Sequence, residues 1–300
     1  MDSAKIKPGG FSLLTAGAFG LDGNGDGRYD EIEFEPERLD VWELGAKSTL
    51  MGGRLRLNGA IFFQDFKDKQ ISVQEIIGTN TGTRVRNIGG SEVKGLELDV
   101  TFQATDNLRL SGGYTYLKSE YTDYTTITQS ANDIARVQLG NGKGCLEVRE
   151  EPAGSGNIFC VISYNGNSLE RAPKNAFLFD ANYTNNLFDT GLEWFGQVNF
   201  RYQDSRWLES FNLVEMPAYT RTNLSVGLLA EQWDLQLYVN NVFDDDTVTS
   251  GGSLAGISTA QWRLGLADGA VAGPKLPSNN YGNLPNPRVF GARINWRFGQ

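Results

Sequence analysis

The sequence predicts an all-β fold, an antiparallel transmembrane β-barrel. Three observations carry this. Apolar and polar residues alternate with period two in one segment after another. The links between those segments are short and long by strict turns. No apolar run approaches the roughly 20 residues that a membrane helix needs. Successive side chains of a strand point to opposite faces, so period-two alternation marks a sheet with one greasy and one wet face. A chain that meets a membrane without such a helix must cross it with strands closed into a barrel.

About ten strands are expected, at 10–15, 38–50, 54–71, 84–103, 107–121, 172–184, 191–204, 217–229, 233–243 and 287–298. In the third, Leu55, Leu57, Ile61 and Phe63 oppose Arg56, Asn58 and Gln64. In the fourth, Leu96, Leu98, Val100 and Phe102 oppose Glu97, Asp99, Thr101 and Gln103. The segment 191–204 sets Leu192, Trp194, Val198, Phe200 and Tyr202, with Gly196 among them, against Glu193, Gln197, Asn199, Arg201 and Gln203. Only Phe195 breaks that pattern. Trp233, Leu235, Leu237 and Val239 oppose Asp234, Gln236 and Asn240, and the last strand repeats the motif from Phe290 to Phe298. Several of these segments exceed the 9–11 residues or so that cross the hydrocarbon, and would project beyond it.

The turns at 51–53, 104–106, 185–190 and 230–232 are tight and polar. Between them run long links at 16–37, 72–83, 122–171, 205–216 and 244–286. Bacterial outer-membrane barrels have short periplasmic turns and longer external loops. A soluble sandwich has no reason to place every long loop at one end. Trp42, Phe66, Tyr121, Tyr202, Trp207 and Phe298 fall near segment ends, where interfacial girdles would sit. Strands favour aromatics in any case.

The chain carries 27 Lys+Arg against 36 Asp+Glu, a net charge of -9, which speaks against a nucleic-acid partner. It has no histidine, so a Ser-His-Asp triad, a Cys-His dyad and a His-ligated zinc site are excluded. No enzymatic activity is expected. Residues 1–10 are polar, carry Lys5 and Lys7, and lack the apolar stretch of a secretory signal. The chain is then either cytosolic or a piece of a longer exported protein, and the alternation favours the second.

Three further features bear on chemistry. Asp22-Gly23-Asn24-Gly25-Asp26-Gly27, ending at Glu33, fits the spacing of a calcium loop at every fixed position. Asp22, Asn24, Asp26, Arg28 through its carbonyl, Asp30 and Glu33 would supply hard oxygen ligands for a structural calcium in an external loop. No flanking helices are visible, and the same residues also suit a plain Asp/Gly turn. No other cofactor is required. Cys145 and Cys160, the only cysteines, lie in the 122–171 link and are expected to form a disulfide. Tyr124, Tyr164, Trp262 and Tyr281 lie in the long links and could stack on an extracellular small molecule, or could only pack their own loops. Arg56, Glu97, Asp99, Gln197, Asn199, Arg201 and Gln236 belong to the wet face and are expected to line a lumen.

An ordered set of local motifs is more specific. It begins with Lys7-Pro8-Gly9-Gly10-Phe11, then Glu43-Leu44-Gly45-Ala46-Lys47 and Arg54-Leu55-Arg56-Leu57-Asn58. Asn87-Ile88-Gly89 and Val93-Lys94-Gly95-Leu96-Glu97-Leu98 follow, and Asn240-Asn241-Val242-Phe243-Asp244 closes the set. In this order they resemble the C-terminal part of the barrel of TonB-dependent outer-membrane receptors, over essentially the whole chain. The resemblance implies a plugged barrel of about 22 strands. Residues 1–300 would then be the C-terminal portion of that barrel, without plug, TonB box or signal peptide, as a truncated reading frame or a fragment. An open ten-stranded piece would leave unpaired edges in lipid. Family barrels usually end on an aromatic residue, whereas here Gly299 and Gln300 follow Phe298.

The family implies location in the bacterial outer membrane among its lipids. It implies capture of a scarce nutrient, a ferric siderophore first, with cobalamin or an oligosaccharide as alternatives. Energy would come from the TonB–ExbB–ExbD complex acting through the plug. A passive porin-like channel, an outer-membrane hydrolase and a soluble carbohydrate-binding sandwich are the rivals. The family motifs disfavour the first, the missing histidine the second and the one-sided loops the third.

Overall fold

The computed structural model describes residues 2–11, 33–77, 80–128, 142–150, 158–253, 280–283 and 285–298, with 134, 138–139, 154 and 156. It is almost entirely antiparallel β-structure. The strands are β1 (Asp2–Lys7), β2 (Gly10–Phe11), β3 (Glu33–Phe34), β4 (Glu37–Leu50), β5 (Leu55–Lys67), β6 (Gln70–Ile77) and β7 (Asn80–Asn87). There follow β8 (Ser91–Gln103), β9 (Leu108–Tyr121), β10 (Thr125–Thr128), β11 (Glu147–Glu150), β12 (Ile158–Ser163), β13 (Asn175–Asn186) and β14 (Glu193–Gln203). The last are β15 (Arg206–Trp207), β16 (Glu215–Met216), β17 (Tyr219–Leu229), β18 (Trp233–Asn240), β19 (Ser250–Ser253), β20 (Asn280–Asn283) and β21 (Val289–Trp296).

Ten of these form one sheet in the order β1-β4-β5-β8-β9-β13-β14-β17-β18-β21. Every neighbour is the next sheet strand along the chain, so the wall is an up-and-down meander. The expectation of about ten strands is met. No helix among the described residues is long and apolar enough to cross a membrane.

Two expected strands are divided. The segment 54–71 ends as β5 at Lys67, because Asp68 takes a positive φ of 56° and turns the chain. Extended backbone does not continue through such a residue. Likewise 84–103 breaks at Gly89, whose φ is 113°, before β8 begins. Between the breaks β6 and β7 pair with each other as a separate ribbon. The first sheet strand is also displaced. It is β1, pairing Asp2 with Val41, and not 10–15. Of that segment only Gly10 and Phe11 are described, and they pair with β3.

The register keeps the two faces separate across the whole wall. Trp42, Phe63 and Lys94 are cross-strand neighbours, as are Leu44, Ile61 and Leu96, and further on Phe179 and Phe200. Large side chains of this face stand open, with Leu44 72 % exposed, Phe290 72 % and Ile294 69 %. A protein in water buries such residues, and a lipid phase covers them. The opposite face is polar and hydrogen-bonded. Asn199 Nδ2 donates to Asp180 Oδ1 at 2.6 Å, and Asn223 Nδ2 donates to Asn199 Oδ1 at 3.3 Å. Asn295 Nδ2 donates to Asp234 Oδ2 at 2.6 Å.

Aromatics and glycines interlock on the polar face. A Cβ on Gly227 would collide with the carbonyl oxygen of Leu235 and with the Phe195 ring. Phe195, which broke the alternation, therefore fills the space that a missing side chain leaves on the next strand. Of the aromatics expected in a girdle, Trp42 stacks on Phe63 on the apolar face at 5.2 Å between ring centres. Tyr121 does not belong there. It is buried at the outer end of β9, on the polar side of the wall.

Candidate functional site

The site is built at the end of the wall that carries the long links. The opposite end has only tight connections, such as the 51–53 turn joining β4 to β5. The buried apolar residues among the described positions also gather at the long-link end. Tyr121, Cys160, Ile162 and Tyr164 form one cluster, with Tyr124, Ile134, Leu169 and Phe211 packed against it. A single-layer sheet between lipid and lumen encloses no core of its own, so apolar burial falls to the loops.

The 122–171 link is itself folded. β12 lies between β10 and β11 in a three-stranded sheet. Cys145 and Cys160 are joined by a disulfide, with their Cα atoms 5.5 Å apart. Tyr124 and Tyr164 lie 4.4 Å apart between ring centres, and Phe211 meets Tyr164 edge-on at 5.3 Å. The Tyr121 hydroxyl donates to Glu170 Oε2 at 2.6 Å. Burial first, and then the Glu170 carboxylate, push the Tyr121 phenol well above its ordinary pKa.

Phe211 comes from the neighbouring 205–216 link, and polar bonds fasten the two links together. Asn167 Nδ2 donates to the Ser210 carbonyl at 2.8 Å. The Ser168 amide donates to Asn212 Oδ1 at 2.7 Å, and Asn212 Nδ2 returns a bond to the Ser168 carbonyl at 2.9 Å. Glu209 accepts from the amides of Phe211, Leu213 and Val214 at 2.9, 3.0 and 3.2 Å, which ties this short loop into a fixed shape.

A charged cluster adjoins them on the polar side of the wall. Arg221 Nη1 and Asp245 Oδ2 are 2.6 Å apart, both largely buried. Burial raises the Asp245 pKa, but bonds from Thr247 and from the Thr220 amide, with the Arg221 charge, outweigh it and hold the carboxyl below its ordinary range. The Tyr219 ring has the Arg221 guanidinium 5.2 Å and the Arg206 guanidinium 5.8 Å from its centre. Its hydroxyl donates to Gln203 Oε1 at 2.8 Å.

The structure brings Tyr124 and Tyr164 together, as partners in the loop core. Tyr164 is buried there, whereas Tyr124 is only partly so. Tyr281 lies in β20, and Trp262 falls outside the described residues. Glu33 lies in β3, while Asp22, Asn24, Asp26, Arg28 and Asp30 fall outside the described residues. No cluster of metal-ligating side chains occurs among the described residues. Asn199 and Gln197 are hydrogen-bonded on the polar face, Gln197 Oε1 accepting from Ser225 Oγ at 3.4 Å. Arg206, Glu209, Phe211, Arg221 and Asp245 were not singled out from the sequence. Glu209 bonds only amides of its own loop, and the partners of the other four are distant along the chain, so no local pattern announces them.

Residues 6–242 match the family model described as "TonB dependent receptor-like, beta-barrel". The chain is 27% identical over 213 residues to "Probable TonB-dependent siderophore receptor PiuA" of Acinetobacter baumannii, spanning 70% of this chain and 23% of that protein. It is 30% identical over 212 residues to "Metal-pseudopaline receptor CntO" of Pseudomonas aeruginosa, spanning 70% of this chain and 24% of that protein. Among solved structures it resembles the ferric yersiniabactin uptake receptor FyuA from Yersinia pestis, with a TM-score of 0.58 and 16% identity, over 87% of this chain and 30% of that one. The chain thus spans about a quarter of the length of the relatives it matches. With an up-and-down wall, an outward apolar face, a polar inner face and long links gathered at one end, the chain belongs to the TonB-dependent receptor β-barrel family of the bacterial outer membrane.

Proposed function

We propose that this protein is part of a receptor that captures a metal chelate outside the cell and imports it across the outer membrane, driven by the TonB–ExbB–ExbD complex. A ferric siderophore is the first candidate cargo. The observation that carries this reading is the family match over residues 6–242, taken with relatives named as receptors for siderophores and a metal–pseudopaline complex. On this reading residues 1–300 supply ten strands of a larger barrel, and a plug domain occupies the lumen beside the polar face. The process involves no covalent chemistry. The external links hold the ligand, and the plug rearranges to pass it.

The test is uptake of radiolabelled iron, supplied on a panel of siderophores, by cells with and without the gene. The reading expects gene-dependent uptake that stops when the proton gradient is collapsed or TonB is deleted. Uptake indifferent to both would instead make the protein a passive channel. Gene-dependent uptake of cobalamin or an oligosaccharide would keep the transport class and change the cargo.

We further propose that Asp22, Asn24, Asp26, Arg28, Asp30 and Glu33 bind a structural calcium in the link between β2 and β3. The spacing of oxygen ligands supports it. Calcium titration by calorimetry should give a saturable signal that Glu33→Gln removes. Equal, negligible heats from both proteins would eliminate the site.

A further inference from the structure

Three aromatic residues within the wall strands stand on the wet face. Phe62, Phe195 and Tyr238 share the polar side with Gln64, Gln197 and Gln236, and alternation does not account for them. Each lies directly opposite a glycine of the next strand: Phe62 opposite Gly95, Phe195 opposite Gly227 and Tyr238 opposite Gly291. In all three the ring covers the glycine, and a Cβ there would run into ring atoms. None of the three glycines takes a positive φ, so the backbone itself does not call for glycine. Glycine weakens a strand interior, and its presence there marks a close approach.

These joints fall where register is otherwise free. Tight turns link β4–β5, β8–β9, β13–β14 and β17–β18, and a tight turn fixes the register of its hairpin. The joints lie in β5–β8, β14–β17 and β18–β21, all connected by long links with slack for a slip. Tyr183 also faces Gly196, in tight-turned β13–β14, yet its ring sits against Trp194, 5.1 Å between centres, and leaves that glycine open. β9–β13 closes through the folded 122–171 link, where the Tyr121 amide donates to the Asn167 carbonyl at 2.9 Å. β1 holds neither glycine nor an aromatic residue, so β1–β4 has no joint, and its register shifts between Lys5 and Lys7.

We propose that the three ring–glycine joints select the register of the wall at strand pairs that no tight turn fixes. A slip of two residues keeps apolar beside apolar and polar beside polar, so neither lipid nor lumen opposes it. Such a slip sets Phe62 opposite Val93 or Glu97, Phe195 opposite Ser225 or Leu229, and Tyr238 opposite Val289 or Arg293. Each of these carries a side chain where the ring needs empty space. The stagger between strands is linked to the tilt and width of a barrel, so the joints also set the shape of the lumen. The device belongs to the wall and is independent of the cargo.

The test is disulfide mapping of the protein in outer membranes by mass spectrometry. Leu57 and Val100 are direct partners across β5–β8, whereas a two-residue slip sets Leu57 opposite Leu98 or Phe102. Directly opposed cysteines can join, and those displaced by two residues lie too far apart. Leu57→Cys is therefore combined in turn with Val100→Cys, Leu98→Cys and Phe102→Cys. With the Phe62 ring in place, only the first combination should join. Phe62→Ala should raise the slipped disulfides roughly 5- to 150-fold, the population ratio that relief of one overpacked contact allows. Phe62→Gly with Gly95→Phe, which reverses the joint, should return the native disulfide alone. Phe63→Ala removes an equal ring from the apolar face, opposite Lys94, and should leave the register unchanged. If Phe62→Ala fails to assemble, Tyr238→Ala decides, read by Leu235→Cys with Ile294→Cys against Leu235→Cys with Ala292→Cys or Trp296→Cys. If neither assembles, rescue of assembly by the reversed joint supports the proposal and failure of that rescue overturns it. Native disulfides alone in Phe62→Ala, or equal slippage in Phe63→Ala, overturn it as well.

Discussion

Tyr164→Ala tests whether the 122–171 link is a folded unit with its own core. Tyr164 is 6 % exposed and packs on Tyr124 at 4.4 Å and on Phe211 at 5.3 Å. Beside it Ile162 is fully buried. Truncating a buried aromatic residue to alanine costs about 3–5 kcal/mol. The core here is small and its walls are loops, which can partly collapse into the space, so the lower value of about 3 kcal/mol is expected. At 1.4 kcal/mol per factor of ten, the local opening constant rises roughly a hundredfold. Hydrogen exchange followed by mass spectrometry reads this directly. Amides of β10 and β12 should lose protection, together with those of 208–214, because Phe211 and Asn212 lock the 205–216 link to the same core. Amides of β14, in the membrane wall, should be unchanged. Val148→Ala, at a position 67 % exposed, provides the control. Refutation would be an exchange pattern in Tyr164→Ala no different from that of Val148→Ala.

Three other outcomes are expected. Cys145→Ser with Cys160→Ser should expose the 122–171 link to external protease on intact cells, since closing a loop of 15 residues contributes about 3 kcal/mol; unchanged cleavage would remove the disulfide from the account. Gly227→Ala should lower the temperature of barrel unfolding by adding about 1–3 kcal/mol of overpacking against Leu235 and Phe195. Gly196→Ala should be tolerated, because its Cβ would meet only Trp194 at an ordinary 3.7 Å; equal sensitivity of the two sites would contradict the interlocking. Asp245 has a folded pKa below its unfolded value, so it stabilises the 244–250 segment at neutral pH, and that contribution fades as pH falls from about 4 toward the depressed value. Exchange in this segment should therefore quicken on acidification in the parent, whereas Asp245→Asn should be quick already at pH 7 and flat with pH.

The wall was legible in the sequence because its code is local. A strand between lipid and lumen has two different solvents, so each residue reports its own side, and Leu96 to Gln103 declare both faces without any knowledge of a neighbour. The ends of strands were less legible. A break such as Asp68 or Gly89 depends on one backbone angle, and the alternation on both sides hides it. β1 was missed because Asp2–Lys7 is polar and short, and only its pairing with β4 makes it a strand.

What the sequence determined by itself was the class: an up-and-down wall, its membrane setting, one end with long links, and the family through an ordered set of short motifs. Tertiary structure decided what those links do. Tyr124 and Tyr164 look equally available in the sequence, yet the fold buries Tyr164 against Phe211, some 47 residues further on. Arg171, Arg206 and Arg221 are scattered polar residues until three elements bring them onto the carbonyls of Gly251, Thr249 and Thr247. The physical reason is the range of the forces involved. Alternation records a residue's solvent, a one-body property, whereas cores and charge clusters are many-body arrangements that exist only once the chain has closed on itself.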